Sequence, residues 1–228
     1  MRTSDFAAIG AILAGLALFA VIPGLYDGFI FLTGRYPYAM SFVKFALLST
    51  FGECVGLRIT EGVYIRPGFG VLPRALVWGL LGMGIKLAFT IFITGVPGAL
   101  AELGLALPPA EARTFVWRLL ASFSVSVCLN SIFAPVFMTL HRVTDAHITA
   151  TGGTLRGFFT PIDAVRHLSE INWSSMWGFV LKKTIPFFWI PAHTITFLLP
   201  QHLQVLFAAF LGIILGLILS FARRRSFS

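Results

Sequence analysis

Hydrophobic residues in this chain fall into long unbroken runs rather than into the alternating pattern of half-buried strands or the one-sided stripe of a soluble helix. The runs are separated by short stretches rich in glycine, proline and arginine. About 17 to 25 apolar residues suffice for a helix to cross a bilayer, and six runs reach that range. They lie at residues 6–22, 39–59, 73–94, 113–140, 173–199 and 203–221. The pattern therefore predicts an all-α, polytopic membrane bundle of six transmembrane helices, forming a single integral-membrane domain over residues 1–228.

Punctuation supports these boundaries. Pro23 and Gly24 break the first run, and Leu25 to Thr33 reads as an interfacial continuation flanked by Tyr26, Tyr36 and Tyr38. The loop from Thr60 to Leu72 contains VYIRPGFG and has no periodicity. Pro73 suits the first turn of a helix, where its missing N–H is not needed. Gly95, Pro97 and Gly98 are expected to end the third span, and a long polar loop is expected over Arg142 to Ile171. Gly52 with Gly56, and Gly212 with Gly216, have the small-xxx-small spacing that lets membrane helices approach closely. The fifth run, WSSMWGFVLKKTIPFFWIPAHTITFLLP, carries two internal prolines, Pro186 and Pro191, and is expected to be kinked; Pro135 predicts a bend in the fourth.

Composition agrees with a membrane protein. The chain is 57% hydrophobic and 11% charged, where a soluble domain carries roughly 25% charged residues. The formal net charge is +8, yet the basic residues are spread over the ends of the apolar runs and form no patch suited to nucleic acid. With both termini in the cytoplasm, Arg2, Arg58, Arg66, Arg74, Arg142, Arg156, Arg166 and Arg223 to Arg225 lie inside, while Arg35, Arg113, Glu102 and Glu111 lie outside. That is the positive-inside distribution, and it predicts an integral protein of a bacterial-type inner membrane, N-in and C-in. The N-terminal run has the basic start of a signal peptide without a small-x-small cleavage site, so it reads as a retained first span. Cys54 and Cys128 read as small apolar fillers.

Ionisable side chains inside membrane spans are expensive and usually face a bundle interior or a water-filled cavity. Lys44, Lys86, Arg118 and His193 fall in the outer half of the predicted spans, Glu53, Lys182 and Lys183 in the inner half, and Asn130 near the middle. Around one shared cavity, these residues would make a cation-lined path suited to anions, with Glu53 paired to one of the lysines. Each has a structural alternative. Lys44 and Arg118 can snorkel to the interface, Asn130 can bond two helices together, and His193 can be a helix contact. His141, Asp145 and His147 could suggest metal ligands, but they sit where the fourth span leaves the membrane, which favours a solvated or headgroup-contacting role. No zinc, nucleotide-loop or nucleophile-elbow motif is present, and neither a cofactor nor a metal is expected.

The order of several motifs resembles the Mpv-type family of small peroxisomal and mitochondrial inner-membrane proteins. Gly52-Glu53 looks like that family's early Gly-Asp; Arg74 followed by GLLGMGIKLAF stands where it has an arginine and a glycine-rich span, with Gly82, Met83 and Lys86 at its Gly, Pro and His. Asn130 and Phe133 to Pro135 resemble its Asp-Gln and following proline. Phe179 to Pro191 follows the spacing of its last motif, with Lys183 at a Gln, Pro186-Phe187 at Asn-Phe and Ile190-Pro191 at Val-Pro. The match covers about Phe42 to Ser220, with many signature residues replaced. The resemblance implies a channel for small solutes, here made more cationic by lysines in place of His and Gln. The leading expectation is thus a channel or facilitator for small anionic solutes, with the lipid bilayer and a possible homo-oligomer as its partners. The alternatives are a non-transporting scaffold or assembly protein whose charges lock helices, and an intramembrane enzyme acting on a lipid phosphate near Lys182 and His193.

Overall fold

In apolar surroundings every backbone N–H and C=O must be bonded within its own segment, so long apolar runs fold as helices. The structure, a computed structural model, describes residues 3–225, and all elements among the described residues are helical. In chain order they are α1 (Thr3–Val21), α2 (Leu25–Arg35), α3 (Pro37–Glu61), α4 (Val71–Glu102), α5 (Phe115–Ala150), α6 (Leu155–Phe158), α7 (Ala164–Ser169), α8 (Trp173–Ser175), a π-helical segment (Met176–Trp189), α9 (Ile190–Leu198) and α10 (Gln201–Arg225). A single 3₁₀ turn, Ala110–Ala112, lies between α4 and α5. Four of these helices are long and apolar enough to cross a membrane: α3, α4, α5 and, in α10, Gln201–Ile218.

Several boundaries differ from the sequence reading. α4 runs through Gly95, Pro97 and Gly98 to Glu102, because a single proline deletes one helical N–H without removing the bonds on either side. α5, expected to end at Leu140, takes in the first part of the expected polar loop and ends at Ala150. At about 1.5 Å per residue its 36 residues reach roughly 54 Å, well beyond the ~30 Å hydrocarbon core. The polar positions from His141 to Thr149 therefore ride on the helix rather than on a loop. The fifth run is described as three successive segments. Within the middle one, Pro186 sits inside a 14-residue stretch of π geometry, a pattern normally confined to single turns. Pro191 stands in the first turn of α9.

Five segments pack as a ring in the order α3, α4, α5, α9 and α10, with α10 returning to α3. The centre of this ring is filled by Phe45, Ala88, Phe89, Leu129, Val205, Ala208 and Ala209, with Phe133 and Phe197 against them. Close approach of α3 and α4 depends on two glycines. A Cβ on Gly82 would come within 2.6 Å of Phe45 Cβ, and one on Gly79 would strike the Phe42 ring. Gly52 serves the α3–α10 contact, since a Cβ there would reach 2.9 Å from Ile213. Gly212 and Gly216, expected to be packing positions, face open space instead.

At one end of the ring the α3–α4 loop docks on the turn that follows α5. Gly70 (φ 71°) caps α4 and Gly153 (φ 69°) lies against it; a Cβ on Gly153 would meet Gly70 N at 2.7 Å. Both positions need the left-handed backbone that glycine adopts without steric cost. α1 is tied to the same end, where Asp5 accepts bonds from Arg58 Nε (2.7 Å), Arg58 Nη2 (2.8 Å) and Tyr64 Oη (3.1 Å).

Candidate functional site

The docked loop sets the first turns of α4 beside the last turns of α5, and this brings Arg74 to the centre of a charge cluster. Arg74 is 9% exposed. Its Nη1 donates to Glu53 Oε2 on α3 at 2.7 Å and also to the Asp145 carboxylate on α5. Its Nε donates to the Phe69 carbonyl at 2.7 Å, and its Cζ lies 4.5 Å from the centre of the Phe69 ring. Glu53 Oε1 accepts from Trp78 Nε1 at 2.9 Å, and His141 Nε2 lies 3.3 Å from the same oxygen. The Trp78 and His141 rings are 4.4 Å apart. One guanidinium thus joins α3, α4 and α5, and the space enclosed by these side chains is too small for a water molecule. Charges taken out of water are stabilised only when paired and hydrogen-bonded, and this cluster meets both conditions.

Glu53 is therefore paired with Arg74, Trp78 and His141 rather than with a lysine. The remaining sequence candidates are dispersed. Lys44 is buried between α3 and α2, where its Nζ donates to Thr33 Oγ1 at 3.0 Å and lies 4.5 Å from the Phe29 ring centre. Lys86 is half-buried, and among the described residues its Nζ bonds only to Thr90 Oγ1 on its own helix, at 3.1 Å. Arg118, Lys182 and Lys183 are exposed. Asn130 is buried and its amide donates to the Ser126 carbonyl (2.8 Å) and Ser126 Oγ (3.2 Å). Ser126 Oγ in turn donates to the Ile190 carbonyl at 2.7 Å, so this pair joins α5 to α9. His193 is buried in an aromatic stack, 5.3 Å from the Trp189 ring and 5.6 Å from Phe89. Among the kink candidates, Pro135 and Pro186 lie within helical segments and Pro191 begins one.

Beside the charge cluster, between α5, α7 and the start of the π segment, lies a partly open cavity of about 380 Å³. Its lining includes Arg142, Asp145, His167, Glu170, Asn172 and Ser175, and none of the eight candidate path residues. Glu170 carries a bond from Arg166 Nε (2.9 Å), and this bond holds its carboxyl below the usual range. His141, Asp145 and His147 do not converge on one point. The first faces Glu53, the second Arg74, and His147 Nε2 lies 3.3 Å from the Phe158 carbonyl.

Sequence reasoning missed Arg74 as the hub, placing it among the inner arginines and at the family-like arginine position, and missed the cavity altogether. A signal for the first existed. Glu53 and Arg74 flank one short Gly- and Pro-rich loop, so an α-hairpin places them at the same end of adjacent helices. The cavity had no such signal, because its walls come from three elements linked by irregular chain. Comparison of the chain with protein-family models, with curated proteins and with solved structures finds no match.

Proposed function

We propose that this protein is an integral-membrane scaffold or assembly protein, a bundle whose buried charges hold helices in register and which offers no conduit through its own centre. The observation that carries this reading is the filled ring. Phe45, Phe89, Leu129 and Ala209 close its middle, and the Arg74–Glu53–Asp145 cluster closes one end without a water-sized space. The exposed Trp177, Lys182, Lys183 and Phe187 on the π segment form a mixed cationic and aromatic face available to other membrane components.

In this reading α1 and the stretch Trp173–Leu198 also cross the bilayer, the latter bent at Pro186 and Pro191, making six crossings in a bacterial-type inner membrane. Arg58, Arg66, Arg74, Arg142, Arg156 and Arg166 belong to the end where α3 and α5 finish and α4 starts, while Arg35, Arg113 and Arg118 belong to the other. That bias supports N-in, C-in. Single cysteines at Arg66 and Arg156 should then be blocked by a membrane-impermeant thiol reagent only after the cells are opened, and one at Glu111 should react in intact cells. The reverse pattern would invert the topology.

A second reading, a facilitator for small anionic solutes, is favoured by one observation. Lys86, Arg118, Lys182 and Lys183 have no carboxylate partner among the described residues, so they could line a path between copies of the chain. The motif order resembling the Mpv-type family supports the same reading. In proteoliposomes the scaffold reading expects chloride, phosphate and short carboxylates to cross no faster than in protein-free vesicles. Anion flux at least tenfold above that background, abolished by Lys182→Glu with Lys183→Glu, would replace it with the facilitator.

A further inference from the structure

We propose that the cavity between α5, α7 and the π segment is a binding site for a phosphate ester. A volume of about 380 Å³ lies at the lower end of the range for small-molecule sites and suits a headgroup or a small phosphorylated molecule. The lining carries donors in excess of free acceptors. Arg142 is exposed and bonds to no side chain or backbone group among the described residues, leaving the planar guanidinium fork that matches phosphate oxygens. His167 is only 3% exposed, and its Nδ1 faces the Glu170 carboxylate at 3.6 Å, within ion-pair range but without a hydrogen bond. Asn172 uses its Oδ1 to accept from Ser175 N at 2.9 Å, so its amide N–H groups point to no protein partner. The two carboxylates in the wall each hold a guanidinium partner, Asp145 sharing Arg74 with Glu53 and Glu170 pairing with Arg166. An anion entering the cavity therefore meets a free guanidinium and an amide beside carboxylates that already hold guanidinium partners.

The residues around the cavity suit a site at headgroup depth. Trp173 and Trp177 are exposed beside it, the latter at 65%, as interfacial tryptophans are. Phe159, Ile162 and Val165 of the α6–α7 region are exposed as well, as apolar residues resting in a bilayer surface would be. The phosphate can thus belong to a lipid headgroup or to a soluble ester, and the test separates the two sources.

The full chain would be titrated calorimetrically in detergent with glycerol 3-phosphate, and in phosphatidylcholine nanodiscs with and without phosphatidic acid, with retained lipid counted by native mass spectrometry. Saturation at one phosphate ester per chain is expected. Arg142→Ala should weaken it at least tenfold and leave the melting temperature unchanged, because Arg142 is exposed and holds no partner; Arg142→Lys should recover part of the affinity. Retention of phosphatidic acid without glycerol 3-phosphate binding identifies a lipid ligand, and binding of both identifies any small phosphate ester. Absence of saturable binding in both arms would overturn the proposal. So would binding unchanged by Arg142→Ala, or binding lowered equally by Lys182→Ala with Lys183→Ala. None of these outcomes depends on solute flux, so the site and the scaffold reading stand or fall separately.

Discussion

Arg74→Ala is expected to destabilise the folded bundle by about 3–5 kcal/mol, the range found when one member of a buried ion pair is removed. The loss would be read as a lower melting temperature and a smaller monodisperse fraction in detergent. The size follows from what is left behind. Glu53 and Asp145 would face each other from α3 and α5 without their shared guanidinium, and the Phe69 carbonyl would lose its donor. Glu53 would keep only Trp78 and His141. A control separates the charge effect from the loss of side-chain volume. In Arg74→Met combined with Glu53→Gln and Asp145→Asn no charge remains to be buried, and replacing a buried ionic group by neutral residues of similar size is often nearly neutral. Most of the lost stability should return. If Arg74→Ala melted within about 0.5 kcal/mol of the parent, the range of an ordinary surface substitution, the cluster would not be an interhelical lock.

The second large effect is expected at Phe89. This ring is 2% exposed and packs at 4.9 Å from Phe197 and 5.6 Å from His193, within the cluster formed with Phe45, Leu129 and Ala209. Phe89→Ala should cost about 3–5 kcal/mol through lost contacts and the cavity left in the centre of the ring. Because lipid is as apolar as the bundle core, little of this is transfer from water, and nearly all reflects packing. Phe89 lies 15 residues beyond Arg74 on one helix, about 22 Å along its axis. The substitution should therefore leave glycerol 3-phosphate affinity at the distant cavity within twofold of the parent, measured at a temperature where both proteins remain folded. A parallel loss of that affinity would mean the two ends of the bundle are coupled.

These two sites also mark how far the sequence could be read. The helices were legible because apolar runs of this length admit few other structures, and the starts of α3 and α4 and the α9–α10 turn fall within a few residues of their expected places. The ends of α4 and α5 were not. Gly95, Pro97, Gly98 and the polar residues from His141 onward read as terminators, yet a helix continues through such positions when its neighbours and its own backbone bonds hold it. For the candidate site, charges at depth were visible one by one, but their partners were not. Asp145 looked solvated because it lies beyond the apolar run, while in fact the docking of Gly70 on Gly153 carries Arg74 to it.

The chain by itself determined an all-helical architecture, with helices long and apolar enough to cross a membrane and a strongly basic bias at one end, since these properties follow from local composition and from the length of apolar runs. Only the tertiary structure decided that the ring is filled, that Lys86, Lys182 and Lys183 stand apart from Glu53, and that Arg142 and His167 share a cavity. Those outcomes depend on the rotation and contact of helices about one another. A membrane span that is apolar on all sides carries little record of its own rotation, because lipid and protein neighbours are alike in hydrophobicity.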